Sequence, residues 1–103
     1  MMDKLSRDTA RKYALLNALT DLDQPSKKDL SEHTGIPDTS IVRLLKSIKK
    51  EYRLEIKYIQ QSGCGFYLIS NWGIIEQDVF KRKFGEINKE YLKKLPTGLI
   101  SNE

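Results

Sequence analysis

The chain has one cysteine, Cys64, and one histidine, His33. A single cysteine excludes a disulfide within the chain and any thiolate-rich metal site. A lone histidine has no second imidazole at ligand spacing, so no metal is expected. No apolar run is long enough to span a bilayer. The opening residues Met1 to Ser6 are polar and lack an apolar signal segment, so a cytoplasmic location is expected. No Ser/His/Asp set, phosphate-binding loop or dinucleotide glycine motif is present, so no catalysis and no cofactor are expected. Asp21 and Asp23 lie beside Pro25, which is turn chemistry.

What remains is a 103-residue chain, enough for one domain. A chain this long buries roughly two-thirds of its unfolded surface. The net charge is +4, from 18 basic and 14 acidic residues, and its distribution is uneven. Residues 1–37 balance. Residues 38–57 hold Arg43, Lys46, Lys49, Lys50, Arg53 and Lys57 against Asp38, Glu51 and Glu55. Residues 81–94 hold Lys81, Arg82, Lys83, Lys89, Lys93 and Lys94 against Glu86 and Glu90. Positive charge thus gathers in two segments that also read as helices.

The first helix is expected from about Arg7 to Leu19, capped by Ser6, with Ala10, Tyr13, Ala14 and Leu19 on its buried stripe. Pro25 prevents its continuation. A short second helix, about Lys27 to Thr34, has Ser26 as cap and Asp29 three residues on, in capping-box spacing. Gly35 follows its last turn, where a left-handed backbone suits glycine. Pro37 opens a third helix, about Asp38 to Tyr52, with Asp38 favourable at its positive end and a candidate cap. Ile41, Leu44, Leu45 and Ile48 share one face of that helix. Leu54 to Tyr58 alternates in period two, residues 59–65 carry a turn with two glycines, and Phe66 to Ile69 returns as a second strand. Trp72 is placed to close the core where the hairpin meets the last helix. That helix is expected from about Ile75 to Leu95, stopped by Pro96 and Gly98. Gly85 inside it costs up to ~1 kcal/mol relative to alanine and marks a bend or an early break.

The order is two short helices joined by a glycine turn, then a hairpin. The segments Leu30-Ser31-Glu32-His33-Thr34-Gly35-Ile36, Ser40-Ile41-Val42-Arg43-Leu44-Leu45-Lys46-Ser47-Ile48 and Ser62-Gly63-Cys64-Gly65-Phe66-Tyr67-Leu68 carry a likeness. With them, the chain resembles the winged helix-turn-helix superfamily. It is most similar there to the N-terminal DNA-binding domain of the biotin repressor and related small bacterial regulators. The likeness covers about residues 13–69. It implies an α+β, mainly helical fold of three helices and a β-hairpin wing, here with an extra C-terminal helix, and it implies binding to double-stranded DNA. Cys64 sits between the wing-tip glycines where the family often carries a basic residue, so that wing-to-phosphate contact does not carry over.

The third helix is then the reading element. Thr39, Ser40, Arg43 and Ser47 are the candidates for base readout, and Arg43 is the sharpest because its planar fork matches guanine O6 and N7. Ser26, Lys27, Lys28, Lys46, Lys50, Lys57, Gln61 and Ser62 are candidate phosphate contacts, with Gln60 beside them. Residues 1–73 form the winged domain, 74–96 the C-terminal helix and 97–103 a flexible tail. Phe80, Phe84, Ile87 and Tyr91 form an apolar seam on the last helix, expected to pair across a two-fold axis in a homodimer or to fold back over the first helix. No small-molecule ligand is evident. The expected function is that of a small bacterial or phage-like transcriptional regulator. A repressor is favoured because no activating or sensing domain is attached. Alternatives are a winged protein-interaction module with weak DNA affinity and an accessory DNA-binding factor of a mobile element.

Overall fold

Leu15, Leu16, Leu30, Ile36, Ile41, Leu44 and Ile48 meet in one fully buried cluster, and the helices that carry them define the architecture. The computed structural model describes residues 6–61 and 63–95, without the side chain of Cys64. Three helices come first, α1 (Arg7–Asp21), α2 (Lys27–Thr34) and α3 (Asp38–Tyr52). An antiparallel hairpin follows, β1 (Glu55–Gln61) and β2 (Cys64–Asn71), then two short helices, α4 (Gln77–Phe84) and α5 (Lys89–Lys93). The fold is α+β and mainly helical. It is a winged helix-turn-helix arrangement with a C-terminal helical extension.

Local chemistry sets the helix ends. Ser6 Oγ accepts the Thr9 N–H at 3.1 Å to start α1. At α2 the capping box is complete. Ser26 Oγ accepts the Asp29 N–H, and the Asp29 carboxylate accepts the Ser26 N–H. Gly35 ends α2 at φ +78°, and its N–H donates to the Ser31 carbonyl at 2.8 Å. Buried Thr34 donates to the Leu30 carbonyl and accepts the Ile36 N–H, so its hydroxyl is paired on both sides within the α2–α3 turn. Asp38 does not cap α3. Pro37 occupies the cap position with extended backbone, and its carbonyl accepts the Ser40 and Ile41 N–H groups.

The hairpin is longer and its turn tighter than the residue pattern suggests. β1 runs on through Ile59, Gln60 and Gln61, which pair with Phe66, Gly65 and Cys64. Gly63, just before β2, stands at φ +82°. Gly65 serves a different need. A Cβ there would fall on the ring of Tyr58, which lies across the glycine and packs at a tilt on Tyr67, with ring centroids 4.9 Å apart. The Tyr67 N–H donates to the Pro25 carbonyl at 2.9 Å and ties the wing to the helical part.

The expected single C-terminal helix is two helices. α4 ends at Gly85, and Asn88 restarts the chain by accepting the Tyr91 N–H. The expected stop at Pro96 and Gly98 and the tail 97–103 lie outside the described residues.

Candidate nucleic-acid interface

The core takes one face of α3, and the opposite face is left to solvent. Ile41, Leu44, Leu45 and Ile48 are buried. Thr39, Val42, Arg43, Lys46 and Lys50 are exposed and fall at the i, i+3, i+4, i+7, i+11 positions of one stripe. One hydroxyl, one apolar side chain and three cations therefore line up along about three turns. Val42, 38% exposed, was not among the expected readers. It stands between Thr39 and Lys46 on the stripe. Its signal in the sequence was only its spacing from Thr39 and Arg43.

Two expected readers lie at the edge of this stripe. Ser40 and Ser47 are half-buried. Ser47 Oγ donates to the Glu51 carboxylate at 3.3 Å, so its hydroxyl is engaged within the chain. The expected phosphate contacts divide in the same way. Lys27 and Lys28 are exposed on the first turn of α2, and Lys57 and Gln61 are exposed on β1. The Ser26 hydroxyl accepts within the capping box, and the Asp29 carboxylate stands at the same helix end. Ser62 lies outside the described residues.

An ion-pair chain borders the stripe. Arg43 Nη1 lies 3.5 Å from Asp8 Oδ1 on α1. Asp8 Oδ2 lies 3.1 Å from Lys12 Nζ, and Lys12 Nζ lies 2.9 Å from both carboxylate oxygens of Glu51 on α3. Lys12 is almost wholly buried. Burial alone would lower its pKa, but the hydrogen bonds to Glu51 and Asp8 outweigh that and leave it raised. The charge is held because two carboxylates from two helices close on it.

The C-terminal seam faces inward. Phe80 is buried in the main core, and Ile87 is buried against Ala10 and Ala14 of α1. Tyr13 packs on Phe80 at 5.3 Å and on Phe84 at 4.7 Å, and Trp72 stands 6.2 Å from Phe80. Tyr91 packs on the Ala10–Ile87 cluster. Phe80 and Ile87 are thus buried within their own chain, and Phe84 and Tyr91 are half-buried against α1. The basic cluster beside them is partly occupied too. Lys81 Nζ reaches Asn17 Oδ1, Thr20 Oγ1 and Asp21 Oδ1 at 3.0, 3.1 and 2.9 Å. Among the described residues no cluster of three metal-ligating side chains occurs, and no helix is long and apolar enough to cross a membrane.

No protein-family model matches the chain, and neither does any curated protein. One similar solved structure is that of a DUF2131 family protein from Shewanella amazonensis SB2B. It is 22% identical, with a TM-score of 0.70, and the match covers 90% of each chain. At that identity the likeness speaks for the fold alone.

Proposed function

We propose that the chain binds double-stranded DNA and reads it with α3 in the major groove, as a small transcriptional regulator. The observation that carries this reading is the exposed stripe Thr39, Val42, Arg43, Lys46 and Lys50, backed by a fully buried opposite face. A helix so mounted can enter a groove without unpacking the core. Arg43 supplies the bidentate fork for guanine, Val42 the apolar contact and Thr39 a hydroxyl for a base edge. Lys46 and Lys50 follow toward the helix end and neutralise phosphates, with Lys27 and Lys28 on α2 and Lys57 on the wing as further cations. Since phosphate contacts release condensed counterions, affinity should fall steeply with salt.

Selection of bound duplexes from a random pool, followed by a salt titration on the winning sequence, tests the reading. Recovery of one consensus with steep salt dependence supports it. No enrichment together with a flat titration contradicts it. The spacing of half-sites in the consensus would also report whether one copy or two bind.

A further inference from the structure

We propose that Asp8 is a positioning residue for Arg43, and that it sharpens discrimination between a preferred duplex and random DNA. The inference rests on the DNA-binding reading above and adds to it a residue from a helix that does not itself enter the groove.

The geometry is specific. Asp8 lies in the first turn of α1, just after the Ser6 cap. Its two carboxylate oxygens point to different partners. Oδ2 joins Lys12 within its own helix, and Oδ1 joins Arg43 across to α3. Lys12 is fixed in turn by Glu51, so the Asp8 carboxylate is held from behind by a buried cation. Arg43 and Asp8 both remain about half exposed, at 58% and 51% of their side-chain surface. Their ion pair is thus solvated and weak enough to open when a better partner arrives. Guanine O6 and N7 offer such a partner, because they accept two parallel N–H bonds from the guanidinium. A phosphate on an arbitrary sequence offers charge alone, and it approaches a carboxylate that repels it. Asp8 therefore disfavours loose phosphate contacts by Arg43 more than it disfavours the bidentate base contact. Such a repulsive element raises specificity by weakening the wrong complex.

The test uses the full chain and two duplexes, the sequence selected from a random pool and an unrelated one. Competition titrations are run over about 50 to 200 mM salt, the range in which phosphate contacts declare themselves. Asp8→Asn should bind the unrelated duplex roughly fivefold to tenfold more tightly at about 0.1 M salt, the gain from one more phosphate contact. Its salt slope on that duplex should steepen by about 1, and its preference for the selected sequence should fall. Asp8→Glu, which keeps the charge, should retain most of the wild-type preference. In Asp8→Asn combined with Arg43→Ala the steepening should vanish, because the cation that makes the new contact is gone. A merely structural role for Asp8 would shift the urea midpoint and leave the slope alone. Asp8→Asn with wild-type slope and preference overturns this inference and leaves the DNA reading standing. Wild-type protein that binds neither duplex in a salt-dependent way overturns both.

Discussion

Asn17 on α1 donates its side-chain amide to the main-chain carbonyl of Phe84, at 2.8 Å, across 67 residues of sequence. The same amide nitrogen reaches the Ile87 carbonyl at 3.0 Å, and the amide oxygen accepts from Lys81 at 3.0 Å. One buried side chain thus satisfies the carbonyls exposed where the C-terminal segment breaks between α4 and α5. Asn17→Ala should destabilise the fold by about 1–3 kcal/mol, because it takes the side-chain donor from the buried Ile87 carbonyl and leaves the Phe84 carbonyl with the Ile87 N–H alone. Urea unfolding checks this, and an unchanged midpoint would show that the latch contributes nothing.

Phe80 carries the packing side of the same junction. It touches Tyr13, Trp72 and Phe84 and is buried in the main cluster. Truncation to alanine should cost about 3–5 kcal/mol, the range for a large aromatic removed from a core. Thermal unfolding of Phe80→Ala gives the comparison. A loss well below 1 kcal/mol would mean that the C-terminal segment does not pack on α1 as described.

Gly73 joins the hairpin to the C-terminal segment against the end of α3. Its φ is +61°, and a Cβ there would fall on the backbone carbonyls of Tyr52 and Arg53. The next residue, Ile74, donates its N–H to the Tyr52 carbonyl at 3.0 Å and so closes the C-terminal end of α3. Gly73→Ala should cost about 2–3 kcal/mol through the strained angle and the displaced backbone. Retained stability by calorimetry would contradict the close approach.

Three groups make stability sensitive to alkali. Burial raises the phenol pKa of Tyr52, helped by a hydrogen bond with Tyr13, and burial beside Tyr58 raises that of Tyr67. Lys12 is also raised, since its carboxylate partners overcome its burial. For each group the folded-state value exceeds the unfolded one, 10.0 for the tyrosines and 10.5 for the lysine. Their stabilising contribution is therefore complete below pH 10.0 and lost as pH rises through the folded-state values. Urea midpoints should stay level up to roughly pH 9 on this account and fall above pH 10. Stability that rises between those values would reverse the sign.

Much of this fold could be read from residue order. The bounds of α2 and α3 follow from Ser26, Asp29, Gly35 and the Ile41–Ile48 stripe, each a local signal with a direct physical cause. Lys12 and Asn17 were hidden for the opposite reason. A polar residue in an amphipathic helix reads as outward-facing, and the partners that reveal its burial, Glu51 and Phe84, lie 39 and 67 residues away. The apolar seam of residues 80–91 was legible as a seam but not as to what it covers. Periodicity gives the face of a helix and says nothing of whether α1 or a second copy lies against it. Gly85 signalled the break between α4 and α5, whereas the Asn17 amide that completes it left no local trace. At the candidate interface, Arg43 and Lys46 stood out by charge. Val42 and Asp8 did not, because an exposed valine and a helical Asp–Lys pair are ordinary surface features.

The most direct test of the central claim, that the outer face of α3 reads duplex DNA, is competition binding with Arg43→Ala. The variant is compared with wild-type protein on the selected duplex against random duplex at one fixed salt concentration. The account predicts a loss of about 1–3 kcal/mol on the selected sequence and a relaxed preference at the base pair that Arg43 contacts. Equal affinity and equal discrimination in the two proteins would contradict it.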